Sequence, residues 1–489
     1  MDSVPIFSAG ISRRGKALPF FLFGLVICFT LFNLFIFTFQ VLRALAYPYT
    51  LNYTEGHVLA LSHYLYTRGS YFFDINNYPF IHAIYPPVFL FLTSLFFPVA
   101  GEKLVVGRLI SLVATLGIVL VLYRIFSDRS RRSLISWCLA LSFLMPSYVI
   151  EWAALNRVDM LGVFLSLAGM YCYVHFSEQH HFFRWLAVPC FILAFYTKQS
   201  FFAAPISLTV YLLFYDRREA AKFIPAYYLP LGALFVYFNF LTQGQWYLHL
   251  VTYTRSIGFD FSTLFYWLQS FFKLFALPLA CLFFNIIIQR KYPIYSLYAV
   301  MMFIPFFSTV KAGSGAHYFL EPAASFLIIF GLVLCDLMES RRADEAVWLG
   351  LFILFLLSLV SVDKISDIMT HPMVPAVYRE QVPVNAYLQA AQGPILAEDL
   401  SFYFIHQSEP VSESYGSYWL TKFYKMDISR LLDDCEQEKF ALIVAGNYIL
   451  NTPSLAACIK NRYVQVDRLK GLYGEGYFLE VYEPPQKHD

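Results

Sequence analysis

Charged residues are scarce in this chain. They make up 14% of its 489 residues, whereas an ordinary soluble protein has about a quarter. Hydrophobic residues account for 58% and aromatic residues for 19%. This composition excludes a soluble globular protein and indicates a chain with many membrane spans. The net charge is only +2, so the chain lacks the positive field that nucleic-acid binding requires, and no nucleic-acid partner is expected.

Metal-binding and nucleotide-binding motifs are also missing. The eight cysteines show no metal-ligand spacing, and six of them lie in apolar runs, where cysteine usually packs as a small hydrophobic residue. Cys435 and Cys458 lie in polar sequence and could pair if that part of the chain faces an oxidising compartment. We find no internal repeat, no low-complexity segment and, in the C-terminal part, no nucleotide fingerprint.

Long apolar runs dominate the first three quarters of the chain, and eleven of them are predicted to span a membrane. The first, residues 17–42, follows Arg13, Arg14 and Lys16 and lacks a convincing cleavage site. It is therefore predicted to be an uncleaved span with the N-terminus in the cytoplasm. The other runs lie near residues 104–125, 133–150, 160–176, 185–197, 201–215, 223–241, 266–288, 294–309, 318–338 and 347–362.

The run from Pro87 to Pro98 decides the topology. As a helix it would be only about 16 Å long, roughly half the hydrocarbon thickness, so we predict that it lies in the interface. The later basic clusters then fall on the cytoplasmic side with Arg13 and Arg14, as the positive-inside rule requires. The polar turns between spans face outward, toward a periplasm, a cell exterior or an ER lumen. A bacterial plasma membrane is the preferred interpretation.

From about Asp363 the composition becomes that of a soluble domain. The sequence therefore predicts two parts: a transmembrane domain over residues 1–362 and a soluble α/β domain on the outer face over residues 363–489. Predicted strands are residues 395–397, 440–445, 463–466 and 477–482, and predicted helices are residues 384–391, 427–439 and 454–460.

The first outer loop carries a carboxylate, Glu55, at the start of a short helix. Val58, Leu61 and Leu65 share one face of that helix by their spacing, which predicts that it lies flat at the membrane interface. Glu55 has two interpretations that the pattern leaves equal. It either acts over a cavity among the spans or caps the helix, because carboxylates favour helix N-termini.

An ordered set of motifs accompanies this loop. An acidic NYTEG segment is followed by a Pro-Pro helix (YPPVFLFL), a single arginine before the second span (VGRLISL) and an Arg/Asp turn (LNRVDMLG). A Thr-Lys break (YTKQSF) and a Gly-Ser-rich turn entering a late span (GSGAHYFLEPAA) complete the set. Together these motifs resemble the GT-C class of membrane glycosyltransferases. In particular, they resemble the branch that contains the protein O-mannosyltransferases, the aminoarabinose transferases of lipid A and related bacterial enzymes.

The resemblance implies a reaction. Such enzymes move a sugar, with inversion, from a polyprenyl-phosphate donor to an acceptor on the outer face, where the acceptor is a glycan, a lipid or a protein. A departing phosphate needs cations, and one carboxylate base is enough for the acceptor hydroxyl. Glu55 is the predicted base. Asp159 either orients the acceptor or pairs with Arg157.

The remaining predicted site residues hold the lipid phosphate. They are Lys198, Arg255 and His317, each with a structural alternative: a snorkelling lysine, nonspecific contact with membrane lipids, and an interfacial imidazole. Relatives of the aminoarabinose type have a basic residue directly before the Pro-Pro pair, where this chain has Tyr85. Tyr85 is placed in the donor site by that position. No cofactor is expected, and metal independence is predicted because the outer acidic residues form no DxD-type pair.

Two other classes compete with the transferase. A flippase or transporter of lipid-linked sugars would also have many spans, but polar broken helices near the midplane are expected there. A scaffold whose soluble domain recruits partners would leave Glu55 and Lys198 unexplained. The charges gather at outer span ends, which favours chemistry at one surface.

Overall fold

The computed structural model describes residues 14–176, 182–256, 258–259, 261–311, 314–340, 344–359, 382–470 and 478–485. Residues 14–359 of this set are mostly helical, and the longest stretch without a helix is residues 69–86. The predicted boundary between the two parts, at residues 362 and 363, lies outside the described residues.

The described residues before 360 contain eighteen α-helices. They are α1 (Arg14–Ala46), α2 (Tyr53–Arg68), α3 (Pro87–Leu95), α4 (Phe97–Ala100), α5 (Leu104–Ser127), α6 (Ser133–Leu141), α7 (Ser147–Ala153), α8 (Asp159–His175), α9 (Ala187–Thr197), α10 (Ala203–Tyr215), α11 (Arg217–Leu241), α12 (Gln245–Tyr247), α13 (Thr254–Ser256), α14 (Phe261–Phe284), α15 (Pro293–Met301), α16 (Phe303–Phe306), α17 (Leu320–Glu339) and α18 (Glu345–Leu359). Two π-helical segments, Leu248–Tyr253 and Asn285–Gln289, and several 3-10 turns join them.

The protein is a multi-pass membrane protein. Among the described residues, six helical segments are long and apolar enough to cross a membrane, and α6 and α7 form a further candidate that bends by 80°. The eleven predicted runs are mostly helical where the structure describes them, with breaks such as the one at Met145 and Pro146. Three of them form apolar helices shorter than a full span: Phe183–Thr197, Ala203–Tyr215 and Glu345–Leu359. The six segments are Ala17–Ala46, Leu104–Ser127, Arg217–Leu241, Leu264–Gln289, Pro293–Val310 and Ala316–Glu339.

The short helix after the Pro-Pro pair is α3. Pro86 is extended, with ψ of 168°, and Pro87 occupies the first turn, where a missing N–H costs nothing. The helix has nine residues and ends at Leu95, which makes it about 14 Å long, well short of the hydrocarbon thickness. This length is what the sequence predicted for the segment.

Helix α2 has a different N-cap from the one considered in the sequence. Asn52, not Glu55, caps it, because the Asn52 side chain accepts a hydrogen bond from the backbone N–H of Thr54. Gly69 ends the helix with φ of 68°, a left-handed conformation that favours glycine. Val58 and Leu59 are both buried although they are adjacent, so α2 is covered on more than the single face predicted.

The C-terminal part is a small α/β unit. Its helices are α19 (Val382–Ala390), α20 (Ser401–His406), α21 (Ser414–Tyr424), α22 (Ser429–Glu436), α23 (Asn447–Leu450) and α24 (Pro453–Arg462), and its strands are β1 (Ile395–Ala397), β2 (Leu442–Ala445), β3 (Val464–Lys470) and β4 (Phe478–Glu483). The strands lie in the order β1-β2-β4-β3, with β1 parallel to β2 and the other pairs antiparallel. All four strands lie where the apolar runs predicted them. A disulfide between Cys435 and Cys458 joins α22 to α24.

This unit packs directly on α2 and the loop that follows it. Phe80 donates its N–H to the Val411 carbonyl and accepts from the Glu413 N–H, each at 2.9 Å. The hydroxyl of Tyr64 donates to the Pro410 carbonyl at 2.6 Å. Helix α2 therefore lies between the membrane helices and the C-terminal unit, which explains its burial.

Candidate functional site

Glu55 is the centre of a buried polar hub. Its side chain and that of Arg108 are fully buried, and the guanidinium donates to both carboxylate oxygens at 2.8 Å. The backbone N–H of Asn156 donates to Oε1 and that of Leu51 donates to Oε2, both at 2.7 Å. All four acceptor positions of the carboxylate are thus filled.

Arg108 is equally saturated. Besides Glu55, its N–H groups donate to the carbonyls of Ala44, Tyr47 and Tyr49, at distances of 2.5 to 2.6 Å. All five guanidinium donors have an acceptor, as a buried arginine requires. The hub therefore ties the end of α1, the start of α2, α5 and the turn before α8 into one rigid unit.

This geometry argues against Glu55 as a proton acceptor. A general base needs a free lone pair within reach of the acceptor hydroxyl, whereas both Glu55 oxygens already accept two hydrogen bonds each and the side chain has no exposed surface. The carboxylate instead has the environment of a structural anchor. Its predicted role as base stays a prediction that the contacts do not favour.

A second cluster gathers several of the other predicted residues. Asp159 is the first residue of α8, and its Oδ1 accepts from Lys198 Nζ at 2.7 Å, while Oδ2 accepts from Arg157 Nε at 3.3 Å. Lys198 follows the last residue of α9 in an extended conformation, and its side chain reaches the first residue of α8. These three residues, each at most 7% exposed, place two cations around one carboxylate; we call them the Asp159 cluster.

His317 and Tyr85 border this cluster. The charges of Lys198, Asp159 and Arg157 all act on His317, which lies in the turn before α17. Tyr85 is buried in the loop before α3, and Arg157 and Asp159 are its charged neighbours. Burial raises the pKa of the Tyr85 phenol to about 12, so its hydroxyl remains protonated and can donate a hydrogen bond at neutral pH.

Arg255 lies elsewhere. It is exposed on α13, and the charged neighbour that it affects is Lys311, at the start of the Gly-Ser-rich turn. Burial, together with the charge of Arg255, lowers the pKa of Lys311. No contact among the described residues joins Arg255 to the Asp159 cluster, so the structure brings together Tyr85, Asp159, Lys198 and His317 but not this arginine.

Glu151 is a carboxylate that the sequence analysis did not select. It lies on α7, is half-buried, and has Arg157 and Glu55 as its charged neighbours. Within the described residues its side chain takes part in no hydrogen bond or ion pair. Glu151 precedes Arg157 and Asp159 in the EWAALNRVD segment, so two acidic residues on either side of one arginine were the signal in the sequence.

Known proteins with a similar sequence or fold were found for this chain. The family described as dolichyl-phosphate-mannose-protein mannosyltransferase matches residues 85–243, and no curated protein matches the sequence. ArnT from Cupriavidus metallidurans bound to undecaprenyl phosphate has a TM-score of 0.62 at 14% identity, over 95% of this chain and 99% of that one. The apo ArnT structure gives 0.61 at 14% identity with the same coverage. The protein has the GT-C fold.

A more distant GT-C structure agrees. The Archaeoglobus fulgidus oligosaccharyltransferase in complex with Zn and sulfate has a TM-score of 0.52 at 11% identity, over 90% of this chain and 72% of that one. The chain therefore shares its fold with ArnT and with this oligosaccharyltransferase. In this GT-C chain the family match includes Tyr85, Asp159 and Lys198, but it begins after Glu55 and ends before His317.

Proposed function

We propose that the protein is an inverting glycosyltransferase that takes a sugar from a polyprenyl-phosphate donor and transfers it to an acceptor hydroxyl. The Asp159 cluster is the observation that carries the proposal. Asp159, at the start of α8, holds the cations of Arg157 and Lys198, and Lys198 follows the end of α9. Two cations held at one point in this way are suited to bind a phosphate group at a membrane surface. Binding of undecaprenyl phosphate by the structurally similar ArnT supports this class of donor.

Lys198 and Arg157 are the proposed phosphate ligands. In a glycosyl transfer the leaving phosphate gains negative charge, and preorganised cations stabilise that charge without reorganising. Asp159 then acts as a positioning residue that holds both cations at the same point. The protonated Tyr85 hydroxyl and the His317 ring, which border the cluster, supply neutral donors to the remaining phosphate oxygens.

Glu151 is the proposed base. The acceptor hydroxyl must lose its proton to a carboxylate that has a free oxygen, and Glu151 meets this requirement better than Glu55 or Asp159. Glu55 is assigned the role of holding α2 and the Asn156 turn in place around the site.

We also propose that the transfer is independent of metal ions. The charge that a divalent ion would neutralise on the leaving phosphate is met by Lys198 and Arg157. Full transfer in excess EDTA, with Mg²⁺ addition producing no gain, is the expected result.

The outward orientation of the site is also proposed. The disulfide between Cys435 and Cys458 suits an oxidising compartment, and the basic pairs of the other loops favour the cytoplasm by the positive-inside rule. A bacterial plasma membrane, with the C-terminal unit in the periplasm, satisfies both.

The test is transfer or release of sugar from labelled undecaprenyl-phosphate sugars by purified protein. Lys198→Met should reduce turnover by about 100-fold or more, because one preorganised cation at the leaving group is lost. The matched control is Lys222→Met, which removes a lysine that is 63% exposed and paired with Glu219. Equal turnover in both variants would contradict the phosphate role, and transport of a donor without cleavage would favour a flippase.

A further inference from the structure

A cavity of about 290 Å³ lies between the C-terminal half of α2, the loop after it and the C-terminal unit. This volume is near the lower end of small-molecule sites. None of its lining residues belongs to the Asp159 cluster or to the Glu55 hub, and none takes part in the proposed chemistry. Its apolar lining consists of Pro79, Pro394, Pro410, Val411 and Phe440. We propose that this cavity binds a neutral sugar residue.

Two ion pairs form the rim of the cavity. Arg68 donates to Glu409 at 2.8 Å, and Lys439 lies 2.5 Å from Asp434. The hydroxyl of Tyr78 donates to the other oxygen of Asp434 at 2.8 Å. The rim therefore offers both donors and acceptors, and its two positive and two negative side chains carry no net charge.

This charge balance selects the class of ligand. A phosphate or other anion would face two carboxylates, and a purely apolar ligand would cover four charged groups without giving them hydrogen bonds. A sugar ring has an apolar C–H face and a rim of hydroxyls that both donate and accept. It can rest on the proline-rich lining while its hydroxyls bond to the rim.

The rim can exchange its partners at little cost. Arg68 is 45% exposed, Glu409 54% and Lys439 52%. Ion pairs this exposed contribute only about 0–1 kcal/mol, so hydroxyl groups can compete for these side chains.

Helix α2 relates the cavity to the catalytic region. Glu55 lies in its first turn, whereas the two residues of α2 that line the cavity, Tyr64 and Arg68, follow it by nine and thirteen residues. Along the helix axis these positions are about 14–20 Å from Glu55. Because the lining contains neither the proposed phosphate ligands nor the proposed base, we assign a sugar bound here to a residue other than the transferred one. If the proposed glycosyl transfer is correct, this sugar is a distant residue of a glycan acceptor. Sugar binding itself does not depend on that assignment.

Binding is tested with the full-length protein in detergent, using calorimetry and saturation-transfer NMR. The probes are the neutral oligosaccharides mannotriose, maltotriose, chitotriose and arabinotriose, with inorganic phosphate as the anionic probe. We expect at least one trisaccharide to bind and phosphate not to compete. Glu409→Gln and Lys439→Met should each weaken that binding by about tenfold, the loss of one charged hydrogen bond.

The matched control is Glu436→Gln, an exposed glutamate on α22 that does not line the cavity. It should bind the trisaccharide as the wild type does. All three positions are exposed enough for the variants to fold. The proposal is overturned if no trisaccharide binds the wild type, if phosphate displaces it, or if the rim variants bind as well as the control.

A transfer assay separates this proposal from the proposed function. With a glycan acceptor, the rim variants should raise KM for the acceptor and leave kcat unchanged. Sugar binding without any transfer by the wild type would reject the glycosyltransferase and retain the cavity as a sugar site. If the rim variants leave transfer unchanged and no sugar binds, the sugar site in the cavity is rejected and the glycosyltransferase is retained.

Discussion

Replacing Glu55 by glutamine distinguishes an anchor from a base. The two side chains have the same shape, so a base that merely loses its charge should leave the fold intact and abolish transfer. An anchor should behave differently. Removing one partner of a buried ion pair leaves the other charge uncompensated, which costs about 3–5 kcal/mol, and here the remaining partner is the fully buried Arg108.

The hydrogen bonds make the cost worse. Oε1 accepts from Arg108 and from the Asn156 N–H, and Oε2 accepts from Arg108 and from the Leu51 N–H. Whichever way the glutamine amide is turned, its NH₂ group faces two donors. Two buried donors therefore lose their acceptor, at about 1–3 kcal/mol each, although these losses do not simply add to the charge term.

The expected loss of at least about 3 kcal/mol is a large share of a typical folding free energy of about 5–15 kcal/mol. It is measured by thermal and denaturant unfolding of the purified protein, followed by tryptophan fluorescence. Glu102→Gln is the matched control, because Glu102 belongs to the same loop and its side chain is 30% exposed in its pair with His63. A Glu55→Gln variant with wild-type stability and no transfer would refute the anchor role and restore Glu55 as the base.

Further predictions concern packing and pH. Gly107→Ala should destabilise the protein by about 1–3 kcal/mol, because the added Cβ would lie 1.6 Å from Asn156 Oδ1 and displace the turn before α8. The measurement is the unfolding midpoint of this variant compared with that of Gly24→Ala, whose added Cβ has no atom within 4 Å. Burial lowers the pKa of His82 to about 4 and that of His249 to about 3. Below about pH 6.5 these histidines are therefore protonated in the unfolded state before they are protonated in the folded state. Each of them then lowers the free energy of unfolding by up to about 1.4 kcal/mol for every unit of falling pH. Burial raises the pKa of Glu413 to about 7, so the folded state takes up this proton first. Between about pH 7 and 4.5 Glu413 therefore increases the free energy of unfolding as the pH falls. The His82→Gln variant isolates the histidine term: its stability should fall less steeply than that of the wild type between pH 6.5 and 4, and parallel curves would contradict the assignment.

Much of the architecture was predictable because long apolar runs in a sequence indicate the segments that are buried in lipid. The helical segments, the short α3 after the Pro-Pro pair and the four strands of the C-terminal unit all lie where hydrophobicity and proline placed them. Helices α20, α21 and α23 were missed. Their sequences mix aromatic and polar residues without a clear period, and their positions are set by contacts with the sheet and with α2.

The site was predictable only in part. Asp159, Lys198, His317 and Tyr85 come from four separate elements, and the ordered motifs were enough to select them. The partner of each residue was not predictable. Glu55 stood out as an acidic residue in an apolar loop, but a charge of this kind marks a base and an anchor equally well until its neighbours are known.

The sequence by itself determined that this is a multi-pass membrane protein with an α/β unit after it, because both properties depend on local composition and period. Only the tertiary structure decided which carboxylate is saturated and which has a free oxygen. Arg108 lies 53 residues from Glu55, and Lys198 lies 39 residues from Asp159. Pairings over such separations arise from the packing of helices against one another, and no local pattern in the chain records them.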